Sequence, residues 1–440
     1  MPVKLIGFFA LLGASLSVWA TPAIDHWQTE QGTEVYFVDA PQLPMVDIRL
    51  IFDAGGARDG DLPGTALLTN AMLKEGTAKS NTNAIAAAFD DVGAKFGSES
   101  ERDMAVLSLR TLVEDNAMQQ AVDMFVELSS QPAFPKESFE RLKNQLKTSL
   151  QAQKQSPEAI AERNFYQALY GDHPYAQMPT GNEDSLGKIT IADLEAFFKQ
   201  YYVAQNAVLV MVGDLRQADA QLLANKISAA LESGKAAAPL PVVNDLTAAS
   251  EQHIAFPSSQ SHLLVGQPGI SRTDPDYFPL YVGNHVLGGS GLVSIINNEI
   301  REKRGLSYSA YSYFRPMRKA GPYQLGLQTR NEQSEEALKV LRQTLRDYVQ
   351  NGPTDEQLKA AKQNITGGFA LRLDSNSKIA DYLGVIGFYQ LPLDYLDNFK
   401  QRVNAVTQAE IQDAYSRRID PDLMATVIVG GTGENENKNK

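Results

Sequence analysis

Histidine, cysteine, aspartate and glutamate hold metals and act as bases, and cysteine and serine act as nucleophiles. In this chain the pattern of these residues excludes more chemistry than it supports. The five histidines are His26, His173, His253, His262 and His285. No two of them lie within four residues, so no pair can chelate an ion from one turn of a helix, where positions i and i+4 share a face. There is no cysteine, which removes disulfides, thiolate zinc sites and cysteine nucleophiles together. No G-x-S-x-G and no phosphate-binding glycine loop occurs, so serine hydrolase and nucleotide chemistries lack support.

Two stretches remain that could carry chemistry. One is 64–77, GTALLTNAMLKEGT, and the other is 288–311, GGSGLVSIINNEIREKRGLSYSAY. The first closely resembles the helix on which the pitrilysin/insulinase family of peptidases carries its inverted zinc motif, H-x-x-E-H. Gly64, Ala66, Met72, Leu73, Gly76 and Thr77 match the family's frame. The metal slots do not match: Leu67 and Ala71 stand in the two His positions, and Asn70 in the Glu position. The family's third ligand, a Glu, lies on a later helix in an E-R-x-x-x-x-x-E setting. The corresponding stretch 140–147, ERLKNQLK, keeps Glu140 and Arg141 and puts Lys147 in the ligand slot.

A hydrolytic zinc takes three protein ligands and a water. Leu and Ala have no lone pair to donate, and a lysine ammonium opposes a divalent ion. No metal is therefore expected on this chain. Leu67 and Ala71 are helix-compatible apolar residues, and the emptied slot is expected to be filled as core.

The second stretch resembles the second-domain signature of the same family, in which a glycine-rich turn leads into a helix and then an R-x-x-x-G-L-x-Y-like sequence. Arg301 and Tyr308 occupy the matching positions. The resemblance implies that this pair holds the substrate backbone and helps stabilise the tetrahedral intermediate, across a cavity from the zinc helix. The side chains suit that role. Arginine offers an always-charged planar fork to a carbonyl or carboxylate, and a tyrosine hydroxyl can donate to a developing oxyanion.

The elements that must position these residues follow from pattern. Residues 33–39, 44–53, 98–112 and 207–213 are predicted as strands, and 82–92, 116–128, 135–155 and 190–201 as helices. Thr190-x-x-Asp193 opens the last of these as a capping pattern. His173-Pro174-Tyr175 is read as a structural loop. The second half repeats the first. Thr190 to Leu194 answers Thr407 to Ile411, Phe198 answers Tyr415, and Val212-Gly213 answers Val429-Gly430, each 217 residues apart. The 64–77 helix falls opposite 278–289.

The expected fold is α+β, with two homologous α/β-roll domains. Each would pack a mixed, mainly antiparallel sheet against helices. They would comprise 21–233 and 251–432, joined by an Ala/Pro-rich linker at 234–250, within the usual domain size range. The Glu/Asn/Lys tail at 433–440 is expected to be disordered.

Composition sets the surroundings. The chain has 440 residues and a net charge of -12, which argues against nucleic acid or an anionic membrane surface as partner. Residues 1–20 carry one lysine, an apolar run from Leu5 and a Val18-Trp19-Ala20 end, which reads as a secretory signal peptide cut before Thr21. No later stretch reaches the ~20 apolar residues of a membrane span. The expected location is a bacterial periplasm.

In the family's two-domain branch, similar to mitochondrial processing peptidases, one chain can supply zinc and the other the Arg/Tyr pair. The resemblance thus implies a non-catalytic subunit that encloses an unfolded peptide. Its partner would be a homologous chain with an intact H-x-x-E-H and the zinc. The alternative is an inert structural or binding protein, like the family's core subunits of the respiratory b–c complex.

Overall fold

The computed structural model describes residues 22–431. The expected signal peptide and the expected disordered tail lie outside the described residues. Two mixed sheets organise the chain. In the first the strand order is Asp25–Gln28, Glu34–Asp39, Ala207–Gly213, Met45–Phe52, Ala105–Leu112, Lys95–Ser100. In the second it is Ser250–Ile254, Ala425–Val429, Gln260–Pro268, Pro322–Arg330, Ala310–Phe314.

The two orders coincide once the first strand, Asp25–Gln28, is set aside. Each sheet has a single parallel pair, Glu34–Asp39 with Ala207–Gly213 and Ser250–Ile254 with Ala425–Val429. All other pairings are antiparallel. The internal repeat extends to single caps. Asp193 accepts from the Thr190 amide at 2.8 Å, and Glu410 accepts from the Thr407 amide at 2.7 Å. Both close capping boxes at the head of matching helices, Ile191–Tyr201 and Gln408–Arg418.

Strand Ala207–Gly213 is almost wholly buried, because both faces of the sheet are covered. Successive side chains point to opposite faces. Leu209 and Met211 join a core made with the first half's own helices. Val210 and Val212 join a different core, together with Tyr36, Val38 and Ile51, and that core is shared with the second half. The cover on this face is helix Asn376–Tyr389, which comes from the second half.

The exchange is mutual. Helix Pro157–Tyr170 of the first half lies on the second sheet, where Phe165, Tyr166 and Leu169 pack with Leu264, Val427 and Val429. The approach is close on both sides. A Cβ added at Gly387 would lie 2.7 Å from both Tyr36 and Val208. Gly387→Val is therefore expected to lift the helix off the first sheet and to cost about 1–3 kcal/mol, read as a lower urea midpoint at unchanged slope.

Between helix Gln217–Ala230 and strand Ser250–Ile254 the chain has no helix or strand. It is nevertheless tied down. Arg58 Nη1 donates to the Ala238 carbonyl at 2.6 Å, the Ala237 amide donates to Asn206 Oδ1 at 2.9 Å, and Leu240 is buried in the core under helix Pro157–Tyr170.

One predicted element is corrected. The single strand expected over 98–112 is a hairpin, Lys95–Ser100 and Ala105–Leu112, broken by a turn at 101–104. The turn is fixed by polar side chains that reach outward from it. Arg102 stacks over Tyr166 at 3.6 Å, and Asp103 bonds across to the second half.

Candidate functional site

Helix Thr65–Met72 begins at Gly64, whose φ of 103° lies in the left-handed region that glycine adopts at no steric cost. Its head is capped from a distance. The Asp59 carboxylate accepts from the Gly64 and Ala66 amides, both at 2.7 Å. Burial pushes the Asp59 carboxyl up to about 7 against the pull of these two bonds.

The helix packs on Lys136–Gln153, Ile191–Tyr201 and strand Lys95–Ser100, all of the first half. Thr65, Ala66, Leu68, Thr69, Asn70 and Met72 are its buried residues, with Leu73 at its end. Asn70 donates through Nδ2 to the Tyr202 hydroxyl at 3.2 Å, so the residue in the family's general-base position is a core hydrogen-bond donor.

Leu67 and Ala71 turn the other way. Both are only partly buried, on a face continued by exposed Lys74. The expectation that they fill the slot as core is overturned. At 3.6 residues per turn, positions 67, 71 and 74 share one side, and the core lies on the opposite side.

On the neighbouring helix Lys147 is likewise partly buried. Its charge adds to burial in lowering the proton affinity of Lys143, whose ammonium donates to the Ile189 carbonyl at 2.7 Å. The retained Arg141 pairs with Glu75, just past the end of the first helix. The frame of a zinc site is thus held by Asp59 and by the Arg141–Glu75 pair. The residues inside the frame do not fit the metal: two offer hydrocarbon, one a neutral amide turned into the core, where its Nδ2 bonds Tyr202, and one a cation. Among the described residues no group of three or more His, Asp or Glu is placed to hold an ion.

Three of the five histidines have local partners. His173 Nδ1 accepts from the Tyr175 amide at 3.1 Å, while its Nε2 meets the Pro241 carbonyl at 3.1 Å. His26 pairs with Glu34 and His253 with Glu251.

Arg301 lies on the π-helical segment Asn298–Glu302, and Tyr308 lies two residues before edge strand Ala310–Phe314. The loop between them is anchored from within. Gly305 adopts φ 60°, and Ser307 Oγ donates to carbonyls of Ser309 and Gln328, both at 2.7 Å. Tyr308 itself is 87% exposed. Among the described residues Arg301 has only its neighbour Glu302 as ionic partner, at 3.7 Å. No hydrogen bond joins Arg301 to Tyr308 among the described residues, and neither side chain holds the fold together. Both sheets end in a strand with one unpaired edge, Lys95–Ser100 and Ala310–Phe314.

Between the halves lies a cavity of about 370 Å³. Arg49, Glu99 and Asp103 line it from the first half, and Arg272, Arg315 and Asp381 from the second. Arg49 and Asp381 close on each other at 2.5 Å. Asp103 is buried and accepts from Tyr175 Oη at 2.6 Å, Tyr389 Oη at 3.0 Å and the Arg318 amide at 2.7 Å. Sequence reasoning missed this junction. The His173-Pro174-Tyr175 loop was its one visible sign, because the partners of Asp103 are 72, 286 and 215 positions away.

Comparison with known proteins agrees with this geometry. The pattern of the insulinase family (peptidase family M16) matches residues 34–181, and that of the peptidase M16 inactive domain matches residues 188–365. A crystal structure of a peptidase M16 inactive domain from Pseudomonas fluorescens superposes with a TM-score of 0.90 at 42% identity, covering 93% of this chain and 98% of that one. The non-peptidase homolog YmxG of Helicobacter pylori is 24% identical over 95% of this chain and 96% of its own length. An uncharacterized zinc protease of Streptomyces coelicolor is 24% identical over 81% and 79%.

Proposed function

Because the chain belongs to the insulinase (peptidase M16) family, we propose that it is the non-catalytic, substrate-binding subunit of a two-chain zinc peptidase of the periplasm. The observation that carries this reading is the contrast between its two family sites. The zinc helix keeps its frame and has lost every donor, while Arg301 and Tyr308 are retained and free of structural duty. The names of two similar proteins, inactive domain and non-peptidase homolog, are in keeping with a chain that lacks its own metal.

In this reading an unfolded peptide adds to an open sheet edge, such as Lys95–Ser100, where backbone amides and carbonyls can pair without regard to sequence. Arg301 holds a peptide carbonyl, and the Tyr308 hydroxyl donates to the oxygen that gains charge. A homologous partner with an intact H-x-x-E-H supplies the zinc, the water and the base. This chain's contribution is binding and orientation.

The test is reconstitution. The chain alone should show no chelator-sensitive peptide cleavage, and the mixture with an H-x-x-E-H homologue should cleave. Arg301→Ala and Tyr308→Phe should each lower kcat of the mixture by roughly 10²-fold, as loss of one oxyanion donor does. Because Tyr308 is exposed, Tyr308→Phe should leave the melting profile unchanged. Full activity in both variants would remove the assigned role. Chelator-sensitive cleavage by the single chain would overturn the two-chain reading.

A further inference from the structure

A second cavity, of about 440 Å³, adjoins the first and shares Arg272, Arg315 and Pro316 with it. Its chemistry is different. Arg272, Arg315 and Arg372 line it together with Tyr277, Tyr281 and Tyr313, and no Asp or Glu is among its lining residues. In a chain of net charge -12 this is a local reversal of sign.

Among the described residues none of the three arginines has a carboxylate at ion-pair distance, and only Arg315 feels one, Glu101, electrostatically, whereas Arg417 and Arg418 nearby are both held by Asp276. Arg272 Nε is buried without an acceptor. Among the described residues its guanidinium donates one hydrogen bond, to the Tyr277 hydroxyl at 3.4 Å. Arg372 Nη1 donates to the Tyr281 hydroxyl at 3.1 Å. Tyr277 and Tyr281 stack with an interplanar angle of 7° and a centroid distance of 5.9 Å. Arg272 lies over both Tyr277 and Tyr389, at 5.8 and 5.5 Å. Four acidic groups, Glu99, Glu101, Asp103 and Asp381, line the adjoining cavity instead.

From this arrangement we infer that the cavity is a binding site for a peptide carboxylate carried next to an aromatic or apolar side chain. Guanidinium groups bind carboxylates through paired, charge-assisted hydrogen bonds. A desolvated donor without an acceptor gains most when one arrives. The tyrosine walls give an apolar body room to stack, and the volume suits one or two residues of peptide. The overall negative field repels anions at long range, so recognition is local and requires both parts, the carboxylate and its apolar neighbour. Arg301 and Tyr308 do not line this cavity, and the inference stands without the two-chain reading.

The carboxylate can be a chain terminus or an acidic side chain, and calorimetric titration of the full chain separates the two. The probes are N-acetyl-Ala-Ala-Phe as the free acid, the same peptide as its C-terminal amide, and the amide of N-acetyl-Ala-Glu-Phe. The free acid should bind at least about tenfold more tightly than the plain amide. Arg272→Gln and Arg372→Gln should each weaken the acid by about tenfold or more and leave the amide unchanged. Arg346→Gln, in a residue paired with Asp422 elsewhere, should change neither.

If the Glu-containing amide equals the acid, a side-chain carboxylate serves the site as well as a terminal one. If it resembles the plain amide, the occupant is a chain terminus. Either result supports the site. Equal binding of acid and plain amide, or no binding of the acid, overturns it. So does an unchanged affinity in Arg372→Gln, whose exposed position lets the variant fold.

Discussion

Replacing Asp103 by alanine is expected to lower the folding free energy by about 3–5 kcal/mol, a loss typical of removing one partner from a buried charged network. Asp103 sits on the hairpin turn of the first half and is 3% exposed. Two tyrosine hydroxyls and one backbone amide converge on its two oxygens. Burial, and after it the Asp103 charge, pushes the Tyr175 and Tyr389 hydroxyls far above their ordinary range, so both remain donors. Removing the carboxylate leaves the buried Tyr175 hydroxyl and the partly buried Tyr389 hydroxyl and Arg318 amide without this acceptor.

Asp103→Asn should cost less, about 2 kcal/mol, because one oxygen remains while the other becomes an amide facing a donor. Tyr389→Phe in the Asp103→Ala background should cost much less than Tyr389→Phe alone, since the two share one interaction. Urea unfolding of the four proteins measures each term. A loss below about 1 kcal/mol for Asp103→Ala would show that water replaces the carboxylate and that the junction is open.

The sequence carried the parts of the fold that depend on local pattern. Strand Ala207–Gly213 and the two capping boxes are visible in their own residues, and the repeat made them visible twice. The frame of the zinc helix was legible for the same reason, because Gly64 and the residues around it act within a dozen positions. What stayed hidden depends on which half covers which. Phe165 and Gly387 look like ordinary helix residues, and nothing near them in sequence says that each presses on the other half's sheet.

The misjudged exposure of Leu67 and Ala71 has a similar origin. Their apolar character suggested burial, but the helix's angular period turns Ala66, Leu68, Thr69, Asn70, Met72 and Leu73 to the core and these two away from it. Arg272 and Arg372 stand 100 positions apart and share a cavity only because the second half closes on itself.

The exchange of helices makes a further prediction about cooperativity. Phe165 is fully buried and lies over the second sheet, where its Cζ would be 2.8 Å from a Cβ added at Gly266. Phe165→Ala is expected to cost about 3–5 kcal/mol, the transfer loss of an aromatic ring plus the cavity left behind. The cavity opens at the second sheet, while the mutated residue belongs to the first half of the chain. The first half has a local reporter in Trp27, which packs edge-on against Phe37 in the first sheet at 6.4 Å. In a chain starting at Thr21 it is the sole tryptophan, since the other of the two is Trp19.

If each half folded on its own, Trp27 fluorescence would unfold at its original urea concentration in Phe165→Ala. Helix Asn376–Tyr389 covers the first sheet with residues of the second half, so loosening the second half also uncovers the first. Trp27 fluorescence and far-UV circular dichroism should therefore shift together to the same lower midpoint. A Trp27 transition that stays in place while the circular dichroism splits into two steps would mean that the swapped helices are dispensable to the half they cover.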